Sequence, residues 1–202
     1  MANTITYKIG NSLYINVTNR CTNRCTFCIR YTPSGVGEGI DLWLDSEPTQ
    51  QEITAEILKR LGEETFDEIV FCGYGEPLMR FYDVMEVCKA IKQNADIPVR
   101  INTNGHANKI FDKDVTPLME GLVDTISISL NGKNAQEYEK VCQSDYKEDG
   151  FYYMLDFAKK AKDHVKNVIL SVVDIIPPED IEECRKIAQN IGVTFRVREY
   201  SE

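Results

Sequence analysis

The stretch SLYINVTNRCTNRCTFC, residues 12–28, carries the pattern from which the fold of the chain is predicted. Its first half alternates the apolar residues Leu13, Ile15 and Val17 with polar ones, as expected of a β-strand that buries one face. Its second half places cysteines at the spacing C-x3-C-x2-C directly after that strand. The segment therefore predicts a strand with one polar face and a group of thiols at its carboxyl end.

Apolar stretches of strand length recur between helical patterns along the rest of the chain, and this alternation is typical of βα units. The strands are predicted at residues 12–18, 68–72, 99–103, 123–129, 168–173 and 193–198. Helix starts are predicted at Thr49 and Thr116, and helix ends at Gly62 and Gly192. The predicted fold class is therefore α/β.

Several of the predicted strands carry a polar face opposite their apolar one. Arg100 and Asn102 lie on that face of the third strand, and Arg196 and Arg198 on that of the last. Because βα crossovers place helices on the apolar faces, the polar faces are expected to line a curved sheet and to hold a polar ligand. An antiparallel sheet with its polar face in water is the alternative. The last two arginines are either a solvated strand end or a site for an anionic substrate.

Composition favours a single domain over residues 1–202. The formal net charge of −9 argues against nucleic acid or acidic lipid as a partner held by charge, so small molecules or proteins are expected instead. Residues 1–17 lack the apolar core of a signal peptide, and no apolar run is long enough to cross a membrane. A soluble, cytoplasmic protein without a membrane partner is therefore expected.

Cys21, Cys25 and Cys28 form the one cluster of thiols in the sequence, and in a reducing compartment they should remain free of disulfides. Three thiolates can bind three irons of a four-iron cluster, and no fourth cysteine follows at ferredoxin spacing, so one iron stays open. Structural zinc is an alternative, but it needs further ligands, and His106 and His164 stand alone in the sequence. A second alternative is that the three cysteines are unrelated buried thiols that bind no metal.

At these residues the chain resembles the radical S-adenosylmethionine (SAM) superfamily, whose signature has this cysteine spacing with an aromatic residue, here Phe27, before the last cysteine. The resemblance implies a partial (β/α)6 barrel and a [4Fe-4S] cluster on Cys21, Cys25 and Cys28. It further implies that SAM binds the open iron with its adenine near Phe27. Reduction by a one-electron donor such as flavodoxin or ferredoxin then yields a 5'-deoxyadenosyl radical.

A glycine-rich turn, FCGYGEPL at residues 71–78, follows the second predicted strand. Its glycines are expected to let the backbone approach a ligand closely. Gly75, Glu76 and Pro77 match the superfamily's Gly-Gly-Glu-Pro turn, and Tyr74 departs from it. The resemblance implies that this turn, with Gly73, Tyr74, Gly75 and Glu76, binds SAM through its amino group. A plain strand-to-helix turn with a solvated glutamate is the alternative.

Two later strand ends also resemble segments of the superfamily that reach SAM or substrate. INTNG at residues 101–105 offers Asn102 and Asn104, with an ordinary Asn-Gly turn as the alternative. SISLNG at residues 127–132 offers Ser129, together with Asn131 in place of the usual aspartate. The resemblance thus adds Asn104, Ser129 and Asn131 to the cofactor-binding residues.

The connection at residues 29–48 is unusually long and contains Trp43. We expect it either to close over substrate or dock a partner, or to pack on its own domain. Among the remaining thiols, Cys72 is expected to point inward, and Cys142 is interpreted as a lone thiol in a polar segment. The flanking basic residues are interpreted as ordinary surface charge, with a shift of the cluster potential as the alternative: Arg20, Arg24 and Arg30.

Within the superfamily, NVTNRCTNRCTFCIRY and the DLWL segment are similar to the small TatD-associated radical SAM proteins. This likeness implies a TatD-like hydrolase as a possible partner and leaves the substrate open, either a small molecule or a protein. The chain is expected to end with the barrel and to carry no further domain. Two other classes remain open: an iron-sulfur electron-transfer protein and a zinc-stabilised binding module.

Overall fold

A computed structural model gives the structure, and it describes residues 3–32, 35–37 and 40–200. In this part of the chain one sheet contains seven strands in sequence order. They are β1 (Thr6–Ile9), β2 (Ser12–Ile15), β3 (Glu68–Phe71), β4 (Val99–Thr103), β5 (Thr125–Ser129), β6 (Asn167–Val173) and β7 (Thr194–Arg198). β1 and β2 form an antiparallel hairpin, and every later neighbour pairs in parallel.

The helices follow the parallel strands as crossovers. They are α1 (Gln50–Glu63), α2 (Phe81–Asn94), α3 (Ala107–Ile110), α4 (Ala135–Cys142), α5 (Asp149–Ala161) and α6 (Pro178–Ile191). The predicted α/β class is confirmed. Because β1 and β7 are the two edges of the sheet, it forms a partial barrel rather than a closed one. No helix in the three described ranges is long and apolar enough to cross a bilayer.

The β1–β2 hairpin was not predicted from the sequence. Ile9 pairs with Ser12, so only Gly10 and Asn11 form the turn, and Gly10 takes a left-handed φ of 59°. The predicted strand at residues 12–18 leaves the ladder after Ile15. Beyond it, the Asn16 backbone N–H donates to the Ile5 carbonyl, and the Asn16 side-chain amide donates to the carbonyls of Thr4 and Leu42.

Three of the four predicted helix boundaries agree with the structure and one is wrong. Thr49 forms a capping box with Glu52, and Gly192 ends α6 with a φ of 81°. Gly62 lies one residue before the end of α1 at Glu63, which is within the precision of such a prediction. Thr116 is wrong as a cap: it lies within a short 3-10 turn, and its hydroxyl donates to the Asp114 carboxylate instead.

The apolar strand faces form the core under the helices, and the polar faces share the other side of the sheet. Leu13, Ile15 and Ile101 are fully buried. The parallel register pairs residue 102 with 127, 129 with 171, 171 with 196, and 173 with 198. Since paired residues of parallel strands share a face, polar side chains from four strands line the concave side. The alternative of an antiparallel sheet is wrong.

Candidate active site

A cavity of about 300 Å³ opens at the carboxyl ends of the parallel strands. Every residue that the sequence proposes for a cluster or SAM lines it: Cys21, Cys25, Phe27, Cys28, Gly73, Tyr74, Gly75, Glu76, Asn104, Ser129 and Asn131. These residues come from the loop after β2 and from the ends of β3, β4 and β5. The fold therefore brings together side chains that are more than 100 positions apart in the sequence.

The three motif thiols face this cavity without converging on one point. Among residues 3–32, 35–37 and 40–200, no three Cys, His, Asp or Glu side chains form a group that fits a single metal ion. In a four-iron cluster each thiolate binds a different iron, so its sulfurs need not meet as the ligands of one zinc ion must. Cys21, Cys25 and Cys28 all line the one cavity, and their assignment as cluster ligands stays a prediction.

Burial and neighbouring groups set the protonation of these thiols. Burial, with the nearby Glu76 charge, raises the pKa of Cys21 to about 12. Burial also raises the pKa of Cys28. The pKa of Cys25 is lowered, because the Cys142 thiol donates a hydrogen bond to its sulfur. Binding of iron must therefore displace protons from buried thiols.

Cys142 is not the lone thiol that the sequence suggested. The backbone N–H of Arg24 donates to the Cys142 carbonyl at 3.0 Å, and that of Thr26 donates to the Val141 carbonyl at 2.9 Å. The cysteine loop therefore runs along the end of α4. Cys142 is fully buried there beside Cys25, a contact that no local sequence pattern could indicate.

Glu76 is a buried carboxylate with no cationic partner in the described part of the chain. It accepts hydrogen bonds from the Thr103 hydroxyl at 2.7 Å and from the backbone N–H groups of Asn104 and Leu78 at 2.7 and 3.0 Å. Burial raises its pKa although these bonds oppose the shift. The alternative of a solvated glutamate is wrong, and the carboxylate keeps a lone pair for a cation that enters the cavity.

The glycines beside Glu76 are required by packing between two loops. A Cβ on Gly75 would lie 2.2 Å from the Thr18 carbonyl oxygen, and one on Gly73 would lie 2.1 Å from the Asn16 side-chain oxygen. The Glu76 backbone N–H also donates to the Arg20 carbonyl at 2.8 Å. The turn is thus held against the segment that leads to the cysteines. The glycines were expected to let the backbone approach a ligand, and this packing contact was not predicted.

Asn104 forms the Asn-Gly turn that the sequence offered as an alternative, and it faces the cavity as well. Gly105 takes a left-handed φ of 79°, and the His106 N–H donates to the Asn104 side-chain oxygen at 3.1 Å. The Asn104 amide donates to the Thr22 hydroxyl at 2.8 Å. Since Thr22 follows Cys21, this side chain holds the cysteine loop in place.

His106 completes the same network, and sequence reasoning missed it. It is fully buried, with Nδ1 2.9 Å from the Thr22 hydroxyl and Nε2 3.0 Å from the Gly150 carbonyl. The bond to a carbonyl requires the proton on Nε2, so Nδ1 accepts from Thr22. Burial lowers the pKa of His106 to about 4, which keeps it neutral near pH 7.

Ser129 and Asn131 present free hydrogen-bonding atoms to the cavity. Within the described ranges the Ser129 hydroxyl makes no hydrogen bond. The Asn131 side-chain oxygen is buried without a partner, and its amide donates weakly to Cys142 Sγ at 3.9 Å. Asn131 takes a left-handed φ of 51°, a conformation that asparagine tolerates better than most residues.

The long connection at residues 29–48 forms one wall of the cavity, with Ile29 and Val36 among the lining residues. Trp43 contacts Tyr74 edge-to-face at 5.3 Å between ring centres, and Tyr74 is buried. The described part of the connection thus packs on its own domain. Residues 33, 34, 38 and 39 lie outside the described residues, and closure over substrate stays a prediction.

The basic residues around the motif differ in their surroundings. Arg20 pairs with Glu47 and Arg24 with Asp145 at the surface, as expected. Arg30 is instead half-buried and donates to backbone carbonyls of two segments: Asn19 and Asn23 in the cysteine loop, and Tyr74 in the glycine turn. It therefore fixes the cysteine loop against the glycine turn, and its interpretation as surface charge is wrong. Cys72 lines the cavity, as its inward orientation predicted.

The fold and the site define a class of protein: a partial α/β barrel with a cysteine-lined cofactor pocket at the carboxyl ends of its strands. The family model of the Radical SAM superfamily matches residues 15–191. The chain belongs to this superfamily, whose members use a [4Fe-4S] cluster and SAM.

Curated relatives include GTP 3',8-cyclases. The chain is 29% identical over 184 residues to that of Corynebacterium glutamicum strain R, covering 84% of this chain and 45% of the relative. It is 25% identical over 198 residues to that of Helicobacter pylori strain J99, covering 96% of this chain and 57% of the relative. The chain spans about half the length of the curated relatives it matches.

Solved structures share the fold. A radical SAM methyltransferase from Sphaerobacter thermophilus superimposes with a TM-score of 0.64 at 15% identity, covering 96% of this chain and 57% of the other. Methylornithine synthase (PylB) gives a TM-score of 0.66 at 15% identity, covering 94% of this chain and 53% of the other. At these identities the likeness supports the barrel architecture alone.

Proposed function

We propose that the chain is a radical SAM enzyme in which Cys21, Cys25 and Cys28 hold three irons of a [4Fe-4S] cluster and leave the fourth iron to SAM. When bound, the cluster and SAM supply one-electron cleavage to methionine and a 5'-deoxyadenosyl radical, which takes a hydrogen atom from the substrate. The observation that carries the proposal is the convergence of the three thiols and the SAM-binding candidates on one cavity.

Three polar side chains would position SAM. Glu76 offers a buried carboxylate that lacks a cation, which suits the SAM amino group. Asn131 offers a buried oxygen without a donor, and Ser129 a free hydroxyl, for other polar groups of the same ligand. Phe27 and Tyr74 add aromatic surface to the wall, and we assign the adenine to the side of Phe27.

The experiment compares two cysteines of the same neighbourhood. Cys25→Ala removes a proposed ligand, whereas Cys142→Ala removes the adjacent buried thiol that lies outside the motif. After anaerobic reconstitution, wild type and Cys142→Ala should bind about four irons per chain and appear brown. Cys25→Ala should lose most of the iron and the colour, because one iron then lacks its thiolate.

The same preparations are then reduced with dithionite in the presence of SAM. Wild type and Cys142→Ala should form 5'-deoxyadenosine, and Cys25→Ala should not. Retention of the cluster by Cys25→Ala, or a loaded wild type that never cleaves SAM, would contradict the proposal. An electron-transfer protein would give a cluster EPR signal that SAM does not change.

Further parts of the proposal concern partners and extent. We assign residues 1–202 to one radical SAM core domain that takes its electron from a flavodoxin or ferredoxin. The likeness to the small TatD-associated proteins supports a TatD-like hydrolase as a functional partner. The substrate is either a small molecule or a protein segment that enters beside the open edge of the sheet.

A further inference from the structure

Arg198 is the last residue of β7 and lines the same cavity as the motif cysteines. Its register partner on β6 is Val173, which also lines the cavity. β7 is an edge of the sheet, so Arg198 lies on the far side of the barrel from β2 to β4, which supply the cysteine loop, the glycine turn and Asn104. The side chain therefore faces the cofactor pocket from the opposite wall.

The guanidinium of Arg198 has no hydrogen-bond or ion-pair partner in the part of the chain that the structure describes. Its Nε is buried and makes no hydrogen bond, and the side chain forms no salt bridge with any residue in 3–32, 35–37 or 40–200. Burial lowers its pKa, which shows that the charge is poorly solvated. A desolvated cation without a counter-charge is costly, and a bound anion would offset that cost.

Arg100 provides an internal comparison on the same concave side. It forms two hydrogen bonds with the Glu68 carboxylate, at 3.0 and 2.6 Å, and one with the Asn102 side chain at 3.0 Å. Among the described residues the fold thus supplies a carboxylate for Arg100 and none for Arg198. The Nε of Arg30 also lacks a partner, but its other guanidinium nitrogens donate to backbone carbonyls, whereas those of Arg198 donate to no described residue. The difference points to a partner of Arg198 from outside the described residues.

The other charges of the cavity do not fill this role. Glu76 already accepts three hydrogen bonds, and its remaining capacity suits a cation. Glu199 also lines the cavity, but it is exposed and forms no salt bridge with Arg198 within the described residues. Arg196 shares the face of Arg198 and adds a second positive charge at this wall.

We propose that Arg198 binds an anionic group of the substrate, a carboxylate or a phosphate, and so holds the substrate across the cavity from the SAM site. The proposal rests on the proposed function and adds a substrate class to it. A planar guanidinium binds either oxyanion through two parallel hydrogen bonds. The SAM carboxylate has the same chemistry, but the amino group on the same carbon suits Glu76, on the opposite wall.

The test measures anion binding by calorimetry on the reconstituted protein, with pyrophosphate and citrate as probes, in the presence of saturating SAM. The variants are Arg198→Gln and, as a matched control, Arg185→Gln, which removes one exposed charge from α6. Wild type and Arg185→Gln should bind at least one probe. Arg198→Gln should bind it at least about tenfold more weakly, and Arg198→Lys should regain part of the affinity.

Three results would overturn the inference. They are equal binding by wild type and Arg198→Gln, no binding of either probe by wild type, and competition between the probe and SAM, which would assign Arg198 to the SAM carboxylate. Iron content, circular dichroism and 5'-deoxyadenosine formation are measured on the same samples. A failure of cluster assembly or SAM cleavage in wild type would count against the proposed function, whereas a loss of anion binding confined to Arg198→Gln concerns this inference alone.

Discussion

Glu76 shows how one buried side chain links the fold to the cofactor. Its carboxylate is fixed by Thr103 and by backbone N–H groups at the end of β4 and after the glycine turn. The strands therefore hold the carboxyl group in place before any ligand arrives. Preorganisation of this kind lowers the cost of binding a cation at that point.

Replacement of Glu76 by Gln should weaken SAM binding at least about tenfold, because a charged partner of the ammonium group becomes neutral. SAM affinity is measured from the change in the EPR signal of the reduced cluster. Iron content should stay near that of wild type, since no motif thiol changes. Glu182→Gln, an exposed carboxylate on α6, is the control, and unchanged SAM affinity in Glu76→Gln would refute the role.

His106 gives a pH-dependent stability. Its folded-state pKa of about 4 lies below the usual value of 6.5, so the unfolded chain binds the extra proton first as the pH falls. The stabilisation is complete above about pH 6.5 and is lost towards pH 4. Between pH 7 and pH 5 this residue should remove about 2 kcal/mol from the free energy of unfolding.

Urea unfolding of wild type and His106→Gln at both pH values measures that contribution. The variant should be less stable at pH 7, because the contacts to Thr22 and Gly150 are lost. Its free energy of unfolding should also decrease less than that of wild type between pH 7 and pH 5. An equal decline in both proteins would mean that His106 titrates normally in the folded state.

Residues were predictable where the chemistry is local in sequence. The cysteine spacing and Phe27 lie within eight positions, and so does the Gly73–Glu76 turn. His106 was not predictable, because its contact with Thr22 spans 84 positions. The contact between Cys142 and Cys25 was not predictable for the same reason. Nor were the hydrogen bonds from Arg30 to backbone carbonyls.

At the scale of elements, the glycine turn after β3 and the loop after β2 form one packed unit. Gly75 lies against the backbone carbonyls of Thr18 and Arg20, and backbone oxygen atoms cannot move aside as a flexible side chain can. Arg30 adds hydrogen bonds across the same junction. The position of the cysteines therefore depends on the turn that also carries Glu76.

Gly75→Ala should destabilise this unit by about 1–3 kcal/mol, because the added methyl group overlaps the Thr18 carbonyl. Iron should be released faster to a chelator than from wild type. The measurements are thermal unfolding and the rate of iron loss to a ferrous chelator. Iron retention equal to that of wild type would show that the two loops do not act as one unit.

Gly62→Ala is the control glycine substitution, and its effect should have the opposite sign. Gly62 lies in the last turn of α1, where an added Cβ meets no atom within 4 Å and the backbone is helical. The substitution should raise the free energy of unfolding by about 0.5–1 kcal/mol without altering iron release. A loss of stability in Gly62→Ala would mean that the added methyl group clashes with a neighbouring atom, which contradicts the open space around Gly62.

Elements were predictable where apolar periodicity was strong. All six parallel strands follow from the sequence, and β4 has the predicted bounds. β1 was missed although Tyr7 and Ile9 alternate with Thr6 and Lys8 and although Gly10 and Asn11 suit a two-residue hairpin turn, because a strand of four residues is too short for its alternation to stand out. Thr116 failed as a cap because Asp114 competes for its hydroxyl.

At the scale of the whole molecule, the concave face of the sheet carries three arginines although the chain as a whole is negatively charged. The chain has a net charge of −9, yet the concave face carries Arg100, Arg196 and Arg198, and Glu68 neutralises only the first. Polar alternation on the strands predicted a polar interior. It did not predict which arginine would be paired, because that depends on the register of neighbouring strands.

Three thiolate ligands leave one iron of the proposed four-iron cluster without a protein ligand, and this open iron is the site proposed for SAM. Mössbauer spectroscopy of the ⁵⁷Fe-reconstituted protein, recorded with and without SAM, observes this iron separately from the others. We expect SAM to change the isomer shift of about one iron in four, as a nitrogen and an oxygen ligand bind it, and to leave the rest unaltered. A spectrum in which SAM changes none of the irons would contradict the assignment of Cys21, Cys25 and Cys28 as a three-thiolate site open to SAM.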